Sequence, residues 1–167
     1  QVMSILAASN RVERRPSESG TNWNVTYGWG GGIYMSGGSL MNATVVGNFG
    51  VSNNPSGTIG GGMYQTGGTA ANCSVYYNLS NGVPAGPDDY TGSGAIYSCA
   101  PELTSGVRNV TAPPQFRVLG SGFDYTTLLA GSPCRNTGTN QAWMSLAQDL
   151  RGSPRMIGNT VDMGAYE

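Results

Sequence analysis

The ten residues Gly30–Ser39, GGGIYMSGGS, return as Gly60–Thr69, GGGMYQTGGT, at a constant offset of 30 residues. The match runs on past the glycines, with Asn42 aligned to Asn72, Val45 to Val75 and Asn48 to Asn78. Weaker copies flank the pair: Val2–Asn10 reads like Leu40–Asn48, and Gly94–Tyr97 reads like Gly62–Tyr64 after a longer loop. A period of this size belongs to arrays in which one unit cannot bury its apolar face alone and needs its neighbours to do so.

The make-up of the unit limits what it can be. Glycine triplets and pairs end helices, and the segments between them run about four to nine residues, rich in β-branched and aromatic side chains with no 3.6-residue period. A propeller blade needs about 40 residues and four antiparallel strands, whereas this unit suits one turn of a parallel β-helix with a modest loop. Stacked turns put residue i above its copy at a spacing of ~4.8 Å, so equivalent positions form ladders. Val45 on Val75 and Leu40 on Ala70 are predicted inward ladders. Asn10, Asn48 and Asn78 fall at strand ends, where side-chain amides bridge successive turns, and Asn42 is expected to stack on Asn72 in the same way.

The resulting fold expectation is all-β: a right-handed parallel β-helix (β-solenoid) of about five turns. It occupies residues 1–112, with loops at 11–29 and 79–93. Residues 113–167 form an irregular C-terminal region of the same domain that wraps or caps the stack.

Composition removes many activities. Charged residues make up 10% of the chain, the formal net charge is −1, and His and Lys are both absent. There is then no imidazole acid, base or metal ligand, no Schiff-base lysine and no P-loop lysine. Eight Arg against nine acidic residues leave no basic excess for phosphates, so nucleic acid is not an expected partner. No apolar run approaches the ~20 residues of a membrane helix, and no membrane insertion by this segment is expected. The start at Gln1 is read as a mature or trimmed product.

The Gly-Gly-Gly-Ile-Tyr…Asn48 unit resembles the turns of right-handed parallel β-helix proteins of the pectate-lyase-like superfamily, including polymorphic outer-membrane-protein repeats. Four further motifs follow in order: Asn109–Phe116 (NVTAPPQF), Leu129–Gly138 (LAGSPCRNTG), Asp149–Arg155 (DLRGSPR) and Val161–Glu167 (VDMGAYE). Together they resemble the end of bacterial choice-of-anchor Q domain proteins. That resemblance implies a large secreted or surface-anchored β-helix. Arg151 stands where the family's motif carries an acid, which argues against a metal role for that turn.

Enzymes of the superfamily cluster carboxylates on one face of adjacent turns, as Ca²⁺ ligands or as an acid–base pair. Between Glu18 and Asp88 this chain has no charged residue, so its best repeats offer neither, and no catalytic residue is assigned. Asp88 and Asp89 are a weak Ca²⁺ candidate that reads better as a solvated turn, and no cofactor is expected. Tyr34, Tyr64 and Tyr97 recur once per copy. Alternation sends Ile33, Met63 and Ile96 to the opposite face, so the tyrosines are expected to form an outward stripe able to stack on sugar rings or on another protein. Trp23, Tyr27 and Trp29 are a further candidate contact patch. Asp124, Asp149 and Asp162 read as turn or cap residues, with Arg135 and Arg155 as partners. The sequons at Asn24, Asn42, Asn72, Asn78 and Asn109 follow the Asn/Thr alternation that such turns use in any case.

Cys73 and Cys99, in neighbouring turns, are predicted to form a disulfide, leaving Cys134 unpaired. The function expected is that of a secreted or cell-surface structural protein, an adhesin or matrix component. Its partners are further copies of itself, joined end to end into fibres, or a surface glycan or protein. The alternatives are a glycan-binding module or the non-catalytic C-terminal part of a polysaccharide lyase or hydrolase.

Overall fold

The computed structural model describes residues 2–12, 30–51, 60–81, 86–117 and 126–167. Trp23, Tyr27, Trp29, Asn24, Asp124 and the charges from Glu13 to Glu18 lie outside the described residues.

The chain is mostly β, and parallel pairing dominates. The strands are β1 (Val2–Ala8), β2 (Arg11–Val12), β3 (Ile33–Val46), β4 (Phe49–Gly50), β5 (Met63–Ala71), β6 (Ser74–Tyr76), β7 (Leu79–Ser80), β8 (Gly86–Pro87), β9 (Tyr90–Gly92) and β10 (Ala95–Ile96). One sheet runs β1-β3-β5-β10, with β6 also paired to β3 and β9 to β5; a second runs β2-β4-β7-β8 and is parallel except for its last pair. The register follows the repeat: Val2 lies opposite Leu40, Leu40 opposite Ala70, Val45 opposite Val75, and Tyr34 opposite Tyr64.

Close stacking explains the glycine triplets. A Cβ on Gly31 would stand 2.2 Å from the Gly61 carbonyl oxygen, and one on Gly61 would stand 2.1 Å from that of Leu79. Any side chain there would force successive copies apart and break the ladder between them.

Where the chain bends between strands, residues with left-handed backbone form rows across the copies. Gly38, Gly68 and Gly94 make one row with φ of 79°, 82° and 98°; Asn42, Asn72 and Tyr97 make another with φ of 55°, 54° and 47°. Asparagine tolerates this conformation better than most residues, which is why it recurs at the second bend. These rows correct the alignment of the third copy. Ala95 and Ile96 pair with Ala70 and Ala71, and the counterpart of Met63–Gln65 is β9, Tyr90–Gly92. That register sets Gly94 beside Thr69, next to the Gly68 carbonyl, and makes Tyr97 the equivalent of Asn72.

The strand run Ala43–Val46 is buried on both faces. One face sends Ala43, Val45, Val75 and Met63 into an interior cluster with Leu40, Ala70 and Tyr90. The other sends Val46 and Tyr76 against Cys99, Phe116, Cys134 and Met163. The C-terminal region therefore lies along an outer face of the parallel sheet. Hydrogen bonds hold it there: Thr139 N–H to Asn72 Oδ1 at 2.7 Å, Gly164 N–H to the Asn72 carbonyl at 2.8 Å, and Ala165 N–H to Thr44 Oγ1 at 2.9 Å. A short 3-10 helix, Ala142–Leu146, sits within it, and no helix among the described residues is long and apolar enough to cross a membrane.

Candidate functional site

A rail of polar side chains runs across the paired strands. Asn10 donates its backbone N–H and Nδ2 to Asn48 Oδ1, at 2.9 and 3.0 Å. Asn48 donates the same two groups to Asn78 Oδ1, at 3.0 and 2.9 Å. Asn78 in turn donates both to Asp89 Oδ1, at 2.6 and 2.8 Å. The second amide hydrogens of Asn48 and Asn78 go to the carbonyls of Ala7 and Val45. Every rung points its donors the same way, and the rail ends on a group that only accepts when ionised.

Glu102 closes that end. Its carboxylate accepts the backbone N–H groups of Asp89 at 3.0 Å and Tyr90 at 3.2 Å, donors that a further strand would otherwise take. Asp89 is 2% exposed, and burial pushes its carboxyl up to about 6; the two Asn78 hydrogen bonds oppose the shift and the Glu102 charge adds to it. Asp88, half-buried, faces another way and accepts from Thr91 Oγ1 at 3.4 Å. The two adjacent acids thus serve different hydrogen bonds.

A second asparagine stack behaves differently. Asn72 Nδ2 donates to Asn42 Oδ1 and to the Thr139 carbonyl, both at 3.0 Å, while Asn72 Oδ1 accepts from Thr139. This pair clamps the C-terminal region onto the sheet.

The tyrosine positions separate. Tyr34 and Tyr64 stack with ring centroids 5.9 Å apart and an interplanar angle of 18°, so each turns a face to the other. The position beside Tyr64 in the next strand is Thr91, and Tyr97 lies at the bend row, packed against the second cluster. A continuous stripe through Tyr34, Tyr64 and Tyr97 is therefore corrected to a pair plus one remote residue, because the offset of the third copy falls from 30 to 27 at Tyr90–Gly92 and to 25 at Ala95. Of the three residues assigned inward, Met63 is fully buried, while Ile33 and Ile96 are half-buried.

Tyr97 borders a groove of about 520 Å³ between the bend row and the C-terminal region, lined also by Arg108, Asn109, Asn136, Thr137 and Thr160. Tyr97, Arg108 and Asn136 all hold left-handed backbone, at φ of 47°, 51° and 54°. Asn109 forms wall structure, accepting from Ser98 N–H and donating to the carbonyls of Ala95 and Ser105. Arg108, Asn136 and Thr160 come from segments without repeat pattern; Asn136 belongs to the Leu129–Gly138 motif, and no signal in the sequence marks Arg108 or Thr160.

Carboxylates of the C-terminal motifs serve structure. Arg155 is fully buried; its Nη2 donates to the carbonyls of Gly164 at 2.6 Å and Asp162 at 3.3 Å, and its Nε lies 3.4 Å from Glu167 Oε1. Burial pushes Glu167 up to about 7 against the pull of Arg155. Asp149 accepts from the N–H groups of Arg151, Ser153 and Glu167, and Asp162 accepts from Asn136 N–H with Arg135 at 3.9 Å. Among the described residues no group of three or more acids and cysteines is placed to hold a metal ion.

The cysteine pairing is also corrected. All three thiols are free and buried. Cys99 lies directly opposite Ser74, so Cys73, one residue earlier, points to the other face of the sheet. Cys73 joins the interior cluster and Cys99 the outer one, which also holds Cys134; the Cys99 thiol donates to the Ala112 carbonyl at 3.3 Å.

Comparison of the chain with protein-family models, with curated proteins and with solved structures finds no match.

Proposed function

We propose that the chain is the closing part of a right-handed parallel β-helix on a secreted or cell-surface protein, with a structural task. The observation that carries this reading is the Asn10–Asn48–Asn78–Asp89 rail, which repeats once per copy and ends at Glu102. Such a rail suits a stack that is extended on the Asn10 side and finished on the Glu102 side. The motif resemblance to the end of choice-of-anchor Q domain proteins points the same way.

A structural task also fits the acids. Each of the six carboxylates among the described residues (Asp88, Asp89, Glu102, Asp149, Asp162 and Glu167) accepts at least one hydrogen bond from a turn, a rung or an edge. The test is an activity screen of the purified chain on acidic and neutral polysaccharides, with and without Ca²⁺. No turnover is expected; turnover abolished by Asp88→Ala overturns the reading.

Association of copies is supported at one end. An apolar cleft of about 510 Å³, lined by Ile5, Ala7, Ile33, Met35 and Leu40 among others, lies toward the Asn10 side. On the Glu102 side, the Asp89 and Tyr90 N–H groups are engaged by the Glu102 carboxylate. The association that this geometry supports joins two Asn10 ends, which closes at a dimer, where unlike ends would have given the filament expected from the repeat. Sedimentation at high concentration tests it, and a 17.3 kDa monomer alone overturns it.

A second reading, glycan binding, is supported by the Tyr97 groove, which sets one aromatic ring beside Arg108 and the Asn136 and Thr160 side chains. Binding on a glycan array that is lost in both Tyr97→Ala and Arg108→Ala supports it. Binding that survives both removes the groove as the site.

A further inference from the structure

We infer that Cys99 and Cys134 are a disulfide pair that staples the C-terminal region to the parallel sheet. The inference does not rest on the proposed function. The two residues are the only cysteines in the second cluster, and each is 0% exposed. The Cys99 thiol donates to the Ala112 carbonyl at 3.3 Å, on the chain segment that leads toward Cys134. Both backbones are anchored. Cys99 N–H donates to the Cys73 carbonyl at 2.7 Å, and the Cys99 carbonyl accepts from Val75 at 2.8 Å. Cys134 N–H donates to Ser132 Oγ at 3.1 Å, and its carbonyl accepts from Met163 at 2.9 Å. Two fully buried sulfurs in one cluster, carried by two different segments with anchored backbones, are the one pairing that the faces of the sheet allow. Cys73 is excluded as a partner for either, because it faces the opposite side of the sheet.

The link would close the 35-residue span from Cys99 to Cys134, which includes Phe116 and the segment to Ser132. It would tie the outer-face cover to the last parallel strands, where hydrogen bonds from Thr139, Gly164 and Ala165 hold it now. The chemistry is thiol–disulfide exchange with a low-molecular-weight disulfide. The thiolate of one cysteine attacks that disulfide, releasing one small thiol and leaving a mixed disulfide; the second cysteine, after losing its proton, displaces the other small thiol. Two protein thiols are oxidised and one disulfide is reduced to two thiols. The neighbouring Cys134 side chain and burial push the Cys99 thiol up and hold it protonated in the folded chain, so exchange proceeds while the C-terminal region is open, during folding.

The experiment refolds the reduced chain in a glutathione redox buffer and maps peptides without reduction after alkylation. The expected product has lost two hydrogens, shows a Cys99–Cys134 peptide pair, and carries the alkyl group on Cys73 alone; its thermal midpoint lies above that of the reduced chain. Cys73→Ser keeps the link, and Cys99→Ser or Cys134→Ser abolishes it. Recovery of Cys73 in the disulfide, or of three alkylated cysteines after oxidative refolding, overturns the proposal. Both outcomes are read on the unsubstituted chain, so they stand even if a variant fails to fold.

Discussion

Asn78 donates its backbone N–H and its side-chain amide to a single oxygen, Oδ1 of Asp89, at 2.6 and 2.8 Å. The carboxyl that ends the rail is therefore buried against donors on one side and faces the Glu102 carboxylate on the other, and that combination governs its response to pH.

Asp89 is raised from its ordinary 3.8 to about 6 by burial. A carboxyl whose folded value lies above its unfolded one binds more protons when folded, so stability falls as pH rises through the interval between the two. The full change is on the order of 3 kcal/mol. Asp89→Asn keeps an acceptor for Asn78 but does not titrate, and Glu167 titrates alike in both proteins. The unfolding midpoint of the unsubstituted chain in urea is expected to drop relative to Asp89→Asn between pH 4 and pH 7. A pH-independent difference would show that folding leaves the Asp89 carboxyl at its ordinary value.

Asn72 combines left-handed backbone with three side-chain hydrogen bonds. Asn72→Leu strains the backbone and leaves the Thr139 N–H without its acceptor, and is expected to destabilise by about 2–4 kcal/mol. Asn72→Gly removes the bonds without the strain and should lose less. Limited proteolysis should then cut first in the C-terminal region; equal losses for the two variants would count against the strain argument.

Gly61 and Gly37 look alike in sequence but stand in opposite surroundings. A Cβ on Gly61 meets the Leu79 carbonyl oxygen at 2.1 Å, while one on Gly37 meets nothing within 4 Å. Gly61→Ala is expected to prevent folding or to lower stability by more than about 3 kcal/mol. Gly37→Ala should be neutral or stabilising by about 0.4–1 kcal/mol through the unfolded state. Thermal melts of the two variants decide the matter.

Arg155 is buried with Glu167 as its ion partner and two carbonyls as acceptors. Arg155→Met leaves Glu167 buried beside Asp149 and Asp162 without the opposing charge and is expected to cost about 3–5 kcal/mol, as breaking a buried pair does. Pairing it with Glu167→Gln should recover part of that loss. Chemical unfolding of the single and double variants measures the coupling, and purely additive effects would show that the pair contributes nothing.

The sequence alone determined the parts of this protein that follow from an unbroken period. Leu40 lies opposite Ala70, Val45 opposite Val75, and Asn48 is bonded to Asn78, because a constant offset of 30 carries register from one strand to the next. Low charge and the absence of His and Lys equally set the classes of chemistry the chain lacks. Tertiary structure alone decided what happens where the period breaks. Tyr97 follows Asn72 by 25 residues, and the sequence does not mark that three of the missing five are lost before Tyr90 and two between Gly92 and Ala95; that register turned Tyr97 from a third stripe member into a groove residue. The same register put Cys99 opposite Ser74, and in a strand a shift of one residue reverses the face, so Cys99 joined the cluster of Cys134 and not that of Cys73. Glu102 at the end of the rail and Arg155 in the interior belong to segments whose partners are distant in the chain, and local pattern holds no record of contacts made only when those segments close on the sheet.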